Sequence, residues 1–156
     1  MNSFDLKDFT PADRTFLKAR VDAEAEKIYA SKQPTDKRTV KQIWDTNCYG
    51  QAAEVNLIRN HGFTDNPAPY QDVMWGDIPV EVKVTKSARN ITHVLERMNA
   101  KKRWKDDNPN WVFVYTNDRT QPGTEYKLLG TYLWSNYNDA YISANFIYRA
   151  SLGQSV

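Results

Sequence analysis

Tyr70-Gln71-Asp72-Val73-Met74-Trp75-Gly76-Asp77-Ile78-Pro79-Val80-Glu81-Val82-Lys83 reads as a β-hairpin. Gly76-Asp77 is a two-residue turn with Gly at its first central position, the signature of a type II′ connection. That turn fixes the register: Trp75 opposes Ile78, Met74 opposes Pro79, Val73 opposes Val80, and Asp72 opposes Glu81. Directly opposed residues have Cβ atoms about 4.5–5.5 Å apart and share a face, so two carboxylates converge without help from distant sequence. Like charges this close repel, and a divalent cation held by both is the usual remedy, Mg²⁺ being the ion suited to carboxylate and water ligands. Side chains alternate with period two, so Lys83 shares the face of Glu81 while Val80, Val82 and Val84 point into a core.

The plainer alternative makes Asp72, Glu81 and Lys83 ordinary polar residues on the solvated face of an antiparallel pair. Opposed carboxylates argue against it, because a purely structural strand pair disfavours them. Asp77 is a rival for the first acid, but it sits at the hairpin tip, about 13 Å along the strand from Glu81.

Upstream, Gly50-Gln51-Ala52-Ala53-Glu54-Val55-Asn56-Leu57-Ile58-Arg59-Asn60-His61-Gly62-Phe63 carries a helix-period stripe of Ala53, Leu57 and Ile58, and Gly62 is placed to stop the helix. Asp65-Asn66-Pro67-Ala68-Pro69 then leads as a loop into the hairpin.

A helix bearing Glu54, an Asp on a strand, and Glu81-Val82-Lys83 on the next strand together resemble the PD-(D/E)XK nuclease superfamily, the restriction-endonuclease-like fold, with Gln71 standing where the family name has Pro. The resemblance spans roughly residues 50–134. It implies an α/β fold with an αβββαβ core and a mixed central sheet: helix 50–61, strands near 63–66, 70–75 and 78–84, helix near 90–105, strand 111–116, then strand 126–134. It also implies that Asp72 and Glu81 are ligands of Mg²⁺ (Mn²⁺ as substitute), that Lys83 assists the attacking water or the transition state, and that Glu54 supports the metal from the helix. The activity implied is hydrolysis of phosphodiester bonds by a DNA endonuclease.

At 156 residues the chain is sized for one domain with a real core. Hydrophobic residues make up 40% and aromatics 13%, including five Trp and nine Tyr, which places it among folded chains. No apolar run approaches the ~20 residues that span a bilayer, and no charged-then-apolar leader opens the sequence, so the expected location is the cytoplasm, the host's if the chain is phage-encoded. The single cysteine, Cys48, excludes an internal disulfide framework and a cysteine zinc cluster, and neither His61 nor His93 stands in a spacing that would make it a nucleophile. There is no internal repeat and no Gly-rich phosphate loop, which argues against ATP-driven chemistry.

Net charge is only +2, with a sequence pI of about 8.6, so its distribution matters more than its sum. Lys86 and Arg89 follow Lys83, and Arg97, Lys101, Lys102, Arg103 and Lys105 fall on the expected next helix, whose apolar stripe is Ile91, Val94, Leu95 and Met98. Lys86, Arg89, Arg97 and Lys101 are therefore candidate DNA contacts, the alternative being a solvated helix face.

Residues 1–45 read as a helical arm, 46–135 as the nuclease core and 136–156 as a C-terminal extension. In the arm, Thr10 supplies an N-cap, Pro11 occupies N1, and Phe9 is a hydrophobic staple before an apolar stripe of Phe16, Leu17, Val21, Ile28 and Tyr29. A second short helix is expected near Thr39, including Ile43 and Trp44. The arm either covers its own domain or pairs with a second chain, and cleavage of both strands of a duplex favours a homodimer. Asn117-Asp118-Arg119-Thr120-Gln121-Pro122-Gly123-Thr124 is a turn-rich loop between two strands. Two functions from different classes fit: an endonuclease on double-stranded or branched DNA, and a catalytically silent nucleic-acid-binding module of the same fold.

Overall fold

The computed structural model describes residues 3–66, 72–87, 110–119, 123–134 and 141–143. Within them the chain is a mixed α/β structure. Strand β1 (Ser3–Asp5) is followed by two 21-residue helices, α1 (Pro11–Ser31) and α2 (Val40–Asn60), then by β2 (Thr64–Asp65), β3 (Val73–Trp75), β4 (Ile78–Thr85), β5 (Asn110–Thr116), β6 (Glu125–Trp134) and β7 (Tyr141–Ser143). The strands form one sheet in the order β1-β6-β5-β4-β3-β2, with β7 also on β6. Only β4 and β5 run parallel, so the sheet is mixed. Parallel neighbours need a crossover connection, and the helix expected at 90–105 belongs to that connection but lies outside the described residues.

Both helices start where local chemistry dictates. Thr10 accepts from Asp13 N–H while the Asp13 carboxylate accepts from Thr10 N–H, each at 3.1 Å, and Pro11 follows at N1. Thr39 and Gln42 repeat the reciprocal cap on α2. That helix runs unbroken to Asn60, so the short helix near Thr39 and the helix of 50–61 are one element, and the arm boundary at residue 45 falls inside it. Gly62, at φ +74°, turns the chain out of the helix in a conformation that L side chains rarely adopt.

The arm folds onto its own chain. Val21 and Ala25 of α1 are fully buried, and Trp44 Nε1 donates to Asp22 at 2.7 Å, tying the start of α2 to α1. Tyr29, expected on the apolar stripe, is exposed. Before α1 the described chain is a strand and one 3₁₀ turn (Leu6–Asp8) rather than α-helix: Phe4 stacks on Tyr126 with ring centroids 4.4 Å apart and meets Tyr115 edge-on, which draws β1 onto β6. The core is built from Ala52, Ala53 and Leu57 of α2 against Val73, Val80, Val82, Trp111, Phe113 and Tyr115 of the sheet. Strand β5 is buried from Trp111 through Tyr115, as its unbroken apolar run requires of a strand covered on both faces.

After β5 the chain is clasped by Asn117. Its N–H donates to Thr85 O at 3.0 Å, and its side-chain amide donates to Gly123 O at 2.7 Å and Glu125 O at 3.0 Å. A Cβ on Gly123 would fall on the Asp118 carbonyl, a backbone atom that moves only with the loop. Gly123→Ala is therefore expected to cost about 1–3 kcal/mol in urea denaturation; unchanged stability would mean that the loop is not closed in this way.

Candidate active site

The hairpin register is the one the turn chemistry requires: Val73↔Val80, Met74↔Pro79 and Trp75↔Ile78, with Gly76 at φ +60°. The regular ladder ends at Val73. Asp72 N–H then donates to Val80 O at 3.1 Å, and the Asp72 carboxylate accepts from Val82 N–H at 2.8 Å through Oδ2. Asp72 therefore leaves the regular pairing opposite Glu81 that the turn chemistry implies, although its carboxyl still feels the charge of Glu81. Lys83 Nζ lies 2.9 Å from Glu81 Oε1. Asp77 is exposed at the hairpin tip, away from these groups.

Glu81 is only 3% exposed, so it does not belong to a solvated polar face. Burial, followed by the charge of Glu81, pushes the Asp72 carboxyl up to about 7 against the pull of Val82 N–H and Lys83. Glu54, on the buried turn Gln51–Leu57 of α2, is raised well above the usual carboxylate range by burial and then by Asp72, with Glu81 adding to the effect and Arg20 opposing it. Three carboxylates, from α2, from the residue before β3 and from β4, thus feel one another. From α1, Glu24 adds a further acid to the groove wall, and Arg20 supplies a cation whose guanidinium donates to Glu54 at 2.9 Å and to Gln51 at 2.9 Å and also pairs with Asp65.

These groups open into a groove of about 390 Å³ walled by α1, α2, β4 and the loop after β5. Asp72, Glu81, Lys83 and Glu54, the four residues singled out from sequence, all line it. Lys86 does not. It is exposed and lines a separate groove of about 710 Å³, where Lys7 and Lys127 are interspersed with Asp5, Asp118 and Glu125. Arg89, Arg97 and Lys101 lie outside the described residues. Sequence reading missed Arg20, Gln51, Asn47 and Arg119, since a single arginine on an amphipathic helix or in a turn-rich loop carries no local signal of where it will end up.

The donor set suits a hard cation. Asp72 and Glu81 both present carboxylates to one groove, with Asp72 Oδ2 steadied by a backbone amide. Among the described residues no three or more His, Cys, Asp or Glu side chains are gathered into an arrangement that could hold an ion by themselves. Mg²⁺ does not require such a cage, because it is commonly bound through one or two carboxylates with water and phosphate completing its shell. Cys48 is partly buried on α2, and burial followed by Asp45 pushes its thiol up, which is the opposite of an activated nucleophile. Among the described residues no helix is long and apolar enough to cross a membrane. The chain matches no protein-family model, no curated protein and no solved structure.

Proposed function

We propose that this chain is a metal-dependent DNA endonuclease of the PD-(D/E)XK type, with an αβββαβ core completed by the crossover between β4 and β5. The observation that carries the reading is the Asp72–Glu81 pair: a half-buried and a fully buried carboxylate that repel each other in one open groove, with Lys83 held 2.9 Å from Glu81. Bringing like charges together away from water opposes folding, so the arrangement calls for a function that uses it.

Asp72 and Glu81 would hold Mg²⁺ or Mn²⁺, with Glu54 behind them, and the ion would supply a hydroxide-like water at neutral pH and neutralise phosphate charge. Lys83 presents its ammonium toward the phosphoryl oxygens, where negative charge grows in the transition state. The same contact with Glu81 keeps Lys83 in place for that task. Val82 N–H fixes Asp72 Oδ2, so the orientation of its carboxylate is set before substrate arrives. The water oxygen, its proton released to solvent, would form the new bond to phosphorus as the P–O ester bond breaks, and the leaving ester oxygen would take up a proton from solvent.

The test is incubation of supercoiled plasmid and of branched DNA with the protein in Mg²⁺, Mn²⁺ or EDTA. Expected is nicking or linearisation with either metal and none in EDTA. Binding of DNA without cleavage under any metal would replace this reading with a silent nucleic-acid-binding module. Cleavage of both strands by two copies is part of the proposal. A monomeric mass by light scattering at micromolar concentration, with and without DNA, would remove the homodimer.

A further inference from the structure

The groove has a second set of polar groups, unlike the carboxylates in sign. Arg119, in the loop clasped by Asn117, lays its guanidinium over the ring of Tyr49 at 4.2 Å from the centroid. Tyr49 is itself anchored, since its carbonyl accepts from the Tyr126 hydroxyl at 2.8 Å. Arg119 Nε and Asn47 Nδ2 are both shielded from solvent without a hydrogen-bond partner, and both residues line the groove that holds Asp72 and Glu81. A shielded donor left unsatisfied costs about 1–3 kcal/mol, and more when it is charged. Arg119 and Asn47 thus bring to one groove donor groups that no protein acceptor satisfies.

Position says which ligand. Asn47, Gly50 and Glu54 fall at i, i+3 and i+7 on one face of α2, so Asn47 lies about 10 Å along the helix from Glu54. That is within a few nucleotides' reach along one strand. Gly50 lies between them on the groove wall, and a Cβ built there meets no atom within 4 Å, so the wall is bare at that point. We propose that Arg119, backed by Tyr49 and joined by Asn47, binds a backbone phosphate flanking the one to be cut, and so positions the strand across the carboxylates. The guanidinium is suited to this: its planar fork grips phosphate oxygens while its face stays stacked on the ring. The inference rests on the nuclease reading for its substrate, but phosphate binding can be measured without cleavage.

The probe is a fluorescein-labelled 12-base-pair DNA duplex followed by anisotropy in EDTA, with KM and kcat measured separately on plasmid in Mg²⁺. Arg119→Ala is expected to weaken duplex binding about 10- to 100-fold, to lower the slope of log K against log salt by about one, and to raise KM more than it lowers kcat. Arg119→Lys is expected to recover only part of the loss, because it lacks the fork and the stack. Gly50→Leu, which fills the groove without meeting protein at its Cβ, is expected to weaken binding in a folded chain even if Arg119→Ala unfolds. Lys18→Gln, on the exposed surface of α1, serves as the control for general charge and is expected to leave affinity and slope unchanged. Wild-type affinity and slope in folded Arg119→Ala, or in Gly50→Leu, would overturn the inference while leaving any metal-dependent cleavage intact. Loss of binding in Arg119→Ala with no cleavage by the wild type would overturn the nuclease reading and leave this phosphate site standing.

Discussion

Asp72→Asn and Glu81→Gln are each expected to lower DNA cleavage by about 10³-fold or more, equivalent to about 4 kcal/mol of transition-state stabilisation, and Asp72→Asn is expected to make the metal-free protein more stable as well. The two effects have one origin. In the folded chain the Asp72 carboxyl titrates at about 7, because burial and then Glu81 disfavour its charge, whereas unfolded it titrates near 3.8. Between those values the folded state holds a proton that the unfolded state has released, so stability in EDTA falls as pH climbs from about 4 through about 7. Asn at position 72 keeps an acceptor for Val82 N–H and removes the charge, so the pH slope should flatten and stability at pH 8 should rise by about 1–3 kcal/mol. Thermal melts in EDTA from pH 5 to 9, paired with plasmid nicking in Mg²⁺, measure both halves. Adding Mn²⁺ at pH 8 should restore stability to the wild type and do little for either variant. A pair that serves only structure predicts the reverse: variants that lose stability by several kcal/mol, with no metal dependence in the wild type.

How much of this was legible in the sequence depended on the range of the interaction. Gly76 needs positive φ, the turn sets the register, and period two then puts Glu81 and Lys83 on one face, so the hairpin could be read from a dozen residues. The capping box at Thr10 was equally local. The helix expected near Thr39 does begin there, but its continuity with the helix from Gly50 was missed: Asn47 and Gly50 are poor helix formers, worth up to about 1 kcal/mol against the helix at Gly50, and the burial of Ile43 and the Trp44 hydrogen bond to α1 outweigh them. Strand β1 escaped notice for the opposite reason: three residues carry no periodicity, and only the aromatic surface of Tyr126 and Tyr115, more than a hundred residues away, makes Phe4 a strand residue. At the site, Glu54 could be suspected from its helix, but nothing in residues 11–31 announced that one cation of that helix would be its partner.

Arg20→Ala, in contrast to the carboxylate variants, is expected to destabilise the fold by about 3–5 kcal/mol. The Glu54 side chain is only 9% exposed, and Arg20 holds it at 2.9 Å and opposes the upward pull of burial, Asp72 and Glu81, so its removal leaves a buried carboxyl with its donor gone and its ionised form penalised further. Gln51 loses its donor in the same step, and Asp65 loses its partner. The remedy identifies the cause: Glu54→Gln placed in the Arg20→Ala chain should recover most of the loss, and the four corners of that double-mutant cycle, measured by urea denaturation in EDTA, should give a coupling of at least about 2 kcal/mol. A coupling below about 0.5 kcal/mol would show that Arg20 acts through packing on Phe16 rather than through the carboxylate. The metal then separates the two roles of Glu54. With Arg20 gone, an ion is the remaining cation that can favour ionised Glu54, so Mn²⁺ should stabilise Arg20→Ala by more than it stabilises the wild type, and the excess should disappear in the double variant. An equal gain in all three would mean that Glu54 closes the arm onto α2 and takes no part in holding the ion.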